Sequence, residues 1–206
     1  RCPENWVHIK RRCEKIDKYK TEYKHDSASL YARQWALSRN RAYNDFTKGG
    51  GDCMNFVSQC LYAGGLPFKN NGFEWHGLRG GSSFSWRGVD SFLKQLKNYQ
   101  QFGSPRLEFS CEETPESLKA GDLVFTVAEG VPGDIERNPS HVVILSSDYA
   151  DRGQLVVCGH TVDQLDAVKR RDDTRCTYIH IEQIAFDFAA DDYTEHGQCD
   201  DQRAIY

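Results

Sequence analysis

No apolar run in this sequence approaches the roughly 20 residues needed to cross a bilayer, so no membrane span is expected. Neither sign of charge dominates. The 26 Lys and Arg residues against 30 Asp and Glu give a net charge of −4, which leaves no electrostatic reason to expect a nucleic-acid partner. CxxC and HExxH spacings are missing and the cysteines are scattered, so no metal site is expected. Walker-type and dinucleotide glycine patterns are missing too, and with them the expectation of a nucleotide cofactor. There is no internal repeat and no low-complexity segment. What is present is an ordinary globular composition, 39% hydrophobic and 27% charged, in 206 residues, enough for one sizeable core.

Eight cysteines is a high count for a reducing compartment, and the chain begins at Arg1 with no signal-like apolar stretch. Both features lead us to expect a secreted or extracellular protein. Residues 1–25 read as a basic extension, with Lys10, Arg11, Arg12, Lys15, Lys18, Lys20 and Lys24. Its CPENWVHIKRRC segment resembles the opening hairpin of C-type lectin domains, which implies a Cys2–Cys13 disulfide. Nothing downstream continues that pattern, so no sugar binding follows. Residues 26–190 are expected to form the main domain and 191–206 an acidic tail.

Within the main domain, helices come first. SLYARQWALSRN has a helical stripe with Asp26 or Ser27 as a candidate cap. Trp86, Val89, Phe92, Leu93 and Leu96 mark another, which reads as a core face. From residue 118 the period changes. LKAGDLVFTV, HVVILSS, QLVVCGHTV and CTYIHIEQI are short β-rich runs with short connections, as in an antiparallel meander. Helices followed by strands predict an α+β fold.

Between the first two helices lies GGGDCMNFVSQCLYAGG. Cys53, Phe56, Val57 and Cys60 recur at helical spacing, Asp52 suits an N-cap, and Gly64 with Gly65 suits a stop. Cys53 therefore falls in a first helical turn, where the helix dipole favours the thiolate, the reactive form of cysteine. A free Cys53 leaves seven cysteines, so at least one other is unpaired or bonds between chains. Cys60 and Cys158, inside a helix and a strand, are the candidates.

A nucleophilic cysteine needs a base, and the base needs an orienting partner. Of seven histidines, His141 begins the HVVIL strand and His160 ends the next predicted strand. Antiparallel neighbours joined by a turn bring those two positions to one sheet edge. The long segments Phe68–Ser85 and Ala128–Ser140 flank the Cys53 and His141 elements and are rich in glycine or proline. They are expected to wall a cleft, with Trp75 and His76 on one side and Asp134 and Glu136 on the other.

YARQWALSRNRAYNDF, GGDCMNFVSQCLYAGG, SWRGVDSF, LKAGD, SHVVIL and HTVD, in that order, resemble the putative amidase domain family. That family is a branch of the papain-like NlpC-type cell-wall peptidases, and the resemblance runs from Tyr31 to Asp163. Met54 stands where the family usually has Thr, and Val142 where it usually has Ser. The resemblance implies a papain-like fold in which Cys53 is the nucleophile, His141 the general base and His160 the group that orients it. It also implies that Asp52 helps to grip a substrate amine, beside its capping role. Asp163 either supports His160 or closes a turn. The implied activity is hydrolysis of an amide bond, with a peptide or a peptidoglycan stem peptide as substrate. A transglutaminase-like acyltransferase on the same residues, or a non-catalytic binding module, are the other readings.

Overall fold

A computed structural model describes residues 20–68, 74–102, 106–127, 139–171 and 175–185. Its helices are α1 (His25–Trp35), α2 (Cys53–Ala63), α3 (Phe84–Arg87), α4 (Val89–Phe102) and the short α5 (Tyr149–Arg152). Its strands are β1 (Lys20–Glu22), β2 (Arg106–Glu112), β3 (Leu123–Thr126), β4 (His141–Leu145), β5 (Leu155–Gly159), β6 (Gln164–Lys169) and β7 (Cys176–Ala185).

The α+β expectation holds: helices lie mainly in the first half and every paired strand is antiparallel. The sheet order is β1-β7-β3-β4-β5-β6, with β2 also on β7. The meander therefore holds from β3 to β6. Then the last strand leaves it and returns to the far side of β3, where Leu123 pairs with Ile179. At ten residues β7 is long enough to carry β2 along one edge while β3 and β1 share the other. Strand β1 falls in the segment read from sequence as extension. Its pairing with β7, and the fully buried Tyr23 just after it, tie it to the main body.

Strand alternation divides the apolar residues into two layers. Leu123, Phe125, Val142, Ile144, Cys158 and Ile179 face the helices, together with Phe56, Val57, Cys60 and Leu61 of α2. Val124, Val143, Leu145, Val157 and Tyr178 form a smaller cluster on the other face. Helix α2 is buried from Cys53 to Leu61, more than the one-sided stripe its spacing suggested, because α1 covers its outer side.

Helix α1 begins at His25, ahead of both predicted caps. The His25 ring reaches the carbonyls of Ala120 (2.8 Å) and Ile181 (2.9 Å) and so pins the helix start to the sheet. Asp122 belongs to the same clasp. Besides its turn bond from the Lys119 N–H, it accepts from His180 Nδ1 at 2.7 Å and from the Ile181 N–H at 2.9 Å. The His180 bond raises that histidine's pKa against an opposing effect of burial.

Gly64 ends α2 as expected, and its reason is space: a Cβ there would enter the ring of Tyr23. Tyr23 is fully buried with its hydroxyl on the Gly121 carbonyl, so it has nowhere to go. Gly64→Ala is expected to cost about 1–3 kcal/mol of stability, as overpacking does, and urea denaturation would measure it.

Candidate active site

The glycine run before Cys53 has a backbone reason. Gly50 and Gly51 take φ of 107° and 123°, in the left-handed region that L side chains disfavour. The chain can then turn sharply into α2 and present Cys53 in its first turn. Cys53 is 7% exposed and its thiol is free. Burial pushes its pKa up. The Val142 backbone, the Thr161 side chain and the backbone of its own first turn work the other way. The sulfur thus lies where α2, β4 and the turn after β5 meet. His141 is the residue before Val142. Burial, then the charge of Lys169, lowers the pKa of His141, so its ring is neutral at neutral pH. Among the described residues no hydrogen bond holds that ring. Cys53 thus rests as a thiol and His141 as a neutral imidazole, and among the described residues no hydrogen bond joins the two side chains.

Asp52 occupies the N-cap position, but its side chain caps nothing. It is fully buried, and its oxygens receive His160 Nδ1 (2.7 Å), Asn55 Nδ2 (2.8 Å) and the Phe46 N–H (3.0 Å). Arg39 Nε lies 3.2 Å from the same carboxylate. A carboxylate enclosed in this way has no face left for a substrate amine. Its place in the structure is internal, which differs from the gripping role carried over from the family.

His160 is 1% exposed and stacks on Phe56 with ring centroids 4.0 Å apart. Its Nε2 lies 3.0 Å from the Trp35 carbonyl and 3.2 Å from Arg39 Nη1. Both ring nitrogens are therefore engaged, and neither partner is His141. The β4–β5 register explains this separation. Ile144 pairs with Cys158 and Leu145 with Val157, so extending it sets His160 opposite Val142 and Thr161 opposite His141. His160 is tied to the start of α2 by Asp52 and does not steer the His141 ring.

Several contributors were missed from sequence, although they stand inside the quoted segments. Arg39, from SRN, holds Asp163 at 2.8 and 3.2 Å and reaches Asp52, Asp45 and Thr47. Asp163 is thereby drawn to Arg39, which lowers its pKa, and it makes no bond to His160. Asn55 bonds Asp52, the Asn44 carbonyl and Trp86 Nε1. Ser58 donates to the Trp86 carbonyl, and Gln59 accepts from Tyr31. Each polar residue of DCMNFVSQC thus has a structural partner, which explains why the segment is so distinctive. Thr161 accepts the Asp52 N–H at 3.1 Å.

The expected cleft walls fare unevenly. Trp75 is fully buried against Trp86 and Phe68, so it belongs to the core and lines no wall. Core packing drew it in because α3 and its flanking loop fold back onto α2. His76 is partly exposed, with Nε2 3.9 Å from Glu74. Asp134 and Glu136 lie outside the described residues, as do Cys2 and Cys13. Cys60 and Cys158 are free, as anticipated. Cys111 is disulfide-bonded.

A buried cysteine at a helix start is set against an antiparallel sheet in an α+β fold. The chain belongs to the putative amidase domain family, which it matches over residues 22–186. It is also similar to the uncharacterized protein YhbB of Bacillus subtilis (strain 168), at 32% identity over 112 residues. That match covers 53% of this chain and 34% of the relative, so the chain spans about a third of the relative's length. No solved structure matches.

Proposed function

We propose that the protein is a cysteine amidase of papain-like fold that opens an amide bond through an acyl-enzyme. The observation that carries the reading is Cys53, a free and almost fully buried thiol in the first turn of α2, with Val142, the residue after His141, acting on its sulfur. In the first step Cys53 Sγ attacks the amide carbonyl and its proton passes to His141. The Cys53 N–H, at the open end of the helix, donates to the developing oxyanion. His141 then protonates the leaving amine, and the C–N bond breaks to leave a thioester on Cys53. Water, deprotonated by His141, adds to the thioester and releases the acid. Because the pair rests neutral, proton transfer accompanies attack, which suits a general base better than a preformed ion pair.

His160, Asp52 and Arg39 serve as positioning residues that fix where α2 begins. The substrate class, a peptide or a peptidoglycan stem peptide, rests on the family resemblance, as does secretion on the cysteine count. Mass spectrometry of muropeptides incubated with the protein tests it. Loss of one amide bond per product, without a new amine adduct when a free amine is added, supports the hydrolase. Transfer to the added amine would make it an acyltransferase, and unchanged muropeptides would remove this substrate.

The pH profile offers a second check. A lowered His141 pKa keeps the base neutral below the ordinary histidine value of 6.5, so the acid limb of kcat/KM should lie below that pH. Lys169 disfavours the imidazolium, so Lys169→Gln should move the limb to higher pH. A limb that stays in place in the variant argues against His141 as the titrating base.

A further inference from the structure

We infer that Phe46, Phe84 and Arg87 form a binding site for the C-terminal carboxylate of the substrate peptide, on the surface beside the start of α2. The inference rests on the proposed amidase reading, whose substrate class it narrows. Helix α3 supplies two of the three residues. Its inward residue Trp86 is fully buried, with Nε1 donating to Asn55 at 2.8 Å and the carbonyl accepting from Ser58 at 2.8 Å. The Ser83 hydroxyl caps the same turn by accepting the Trp86 N–H at 3.3 Å. Helix α3 is thereby fixed on α2, and Phe84 and Arg87, one turn apart, are left outside. Phe84 is 74% exposed, a large apolar ring left in solvent, and Arg87 is exposed beside it.

Phe46 comes from the loop before the glycine run. Its N–H is held by Asp52, the residue before Cys53, at 3.0 Å, and its carbonyl accepts from the Gly49 N–H at 2.8 Å. The guanidinium carbon of Arg87 lies 4.6 Å from the centre of the Phe84 ring and 5.5 Å from that of Phe46. Both distances fall within the roughly 6 Å of a cation–π contact. They tie α3 to the loop that leads into Cys53, and they orient the guanidinium.

Aromatic rings engage the flat face of a guanidinium and leave its N–H groups along the edge, where their fork matches a carboxylate. Among the described residues no carboxylate takes them. Asp45 is turned to the Thr47 N–H and to Arg39, and Asp90 to Lys94. An unpaired guanidinium beside an exposed ring suits a ligand with an acid group next to an apolar one. The end of a peptide chain offers both.

The test compares acetyl-tetra-alanine, whose only charge is its terminal carboxylate, with the same peptide as its C-terminal amide. Binding would be followed by ligand-observed NMR titration of the Cys53→Ala protein, so that no turnover intervenes. The acid should bind about tenfold more tightly than the amide, as a hydrogen-bonded charge pair allows. Adding Arg87→Gln should bring the two peptides within about twofold of each other. Phe84→Ala should weaken the acid about threefold by removing one of the rings that orient Arg87. Equal affinities for acid and amide, no binding of either peptide, or a preference that survives Arg87→Gln would overturn the inference. Nothing is cleaved, so the outcome is separate from the amidase reading. Hydrolysis by the wild-type protein without an acid preference overturns this inference alone, and an acid preference without hydrolysis overturns the amidase reading alone.

Discussion

Cys53→Ala is expected to reduce turnover roughly 10⁴–10⁶-fold, because a nucleophile and its base act as a unit and losing one forfeits the whole step. The fold should survive. Alanine keeps the Cβ, suits a first helical turn, and leaves only the volume of one sulfur at the layer between α2 and β4. His141→Ala should lose nearly as much, since it removes the proposed general base. Kinetics on the folded variants, with unchanged circular dichroism, measure both. Activity within tenfold of wild type in Cys53→Ala would mean that a different group attacks.

Asp52→Ala should instead be a stability mutation. It strips the acceptor from His160 Nδ1, Asn55 Nδ2 and the Phe46 N–H at once, and leaves Arg39 without one of its carboxylates. Breaking a buried, charge-assisted network by removing one member costs about 3–5 kcal/mol. Against a total of about 5–15 kcal/mol, that is a large share. Asp52→Asn, which keeps one carbonyl oxygen and the side-chain shape, should cost less. Urea denaturation of the three proteins gives the order. A loss below about 1 kcal/mol in Asp52→Ala would show that the network adds little, and that Asp52 is held for another purpose.

The fold class was legible because the period of apolar residues changes from helical to alternating near residue 118. Helix α2 was legible for the same reason, with glycines at both ends. Strand β2 was not seen: RLEFSCE has three charges and only partial alternation, and its strand state comes from pairing along β7, 66 to 79 residues away. The return of β7 to β3 was hidden likewise, since local pattern gives strands and not their partners. In the site, the placement of Cys53 at a helix start could be read from Asp52 and the glycines. The partner of His160 could not. Two histidines near one sheet edge suggested a shared role, but side-chain direction and burial sent His160 to Asp52. Thr161 was quoted within HTVD and passed over, because nothing in its local sequence shows that its hydroxyl accepts the Asp52 N–H.

The most direct test of a cysteine acyl-enzyme is the mass of the protein itself, quenched in acid during turnover of an amide substrate. The expected result is a fraction of the chain heavier by one acyl group, on the peptide containing Cys53, removed by hydroxylamine as a thioester is. Cys53→Ala should carry no such mass. Product formation by the wild-type protein together with the same product, at a comparable rate, from Cys53→Ala would contradict the account.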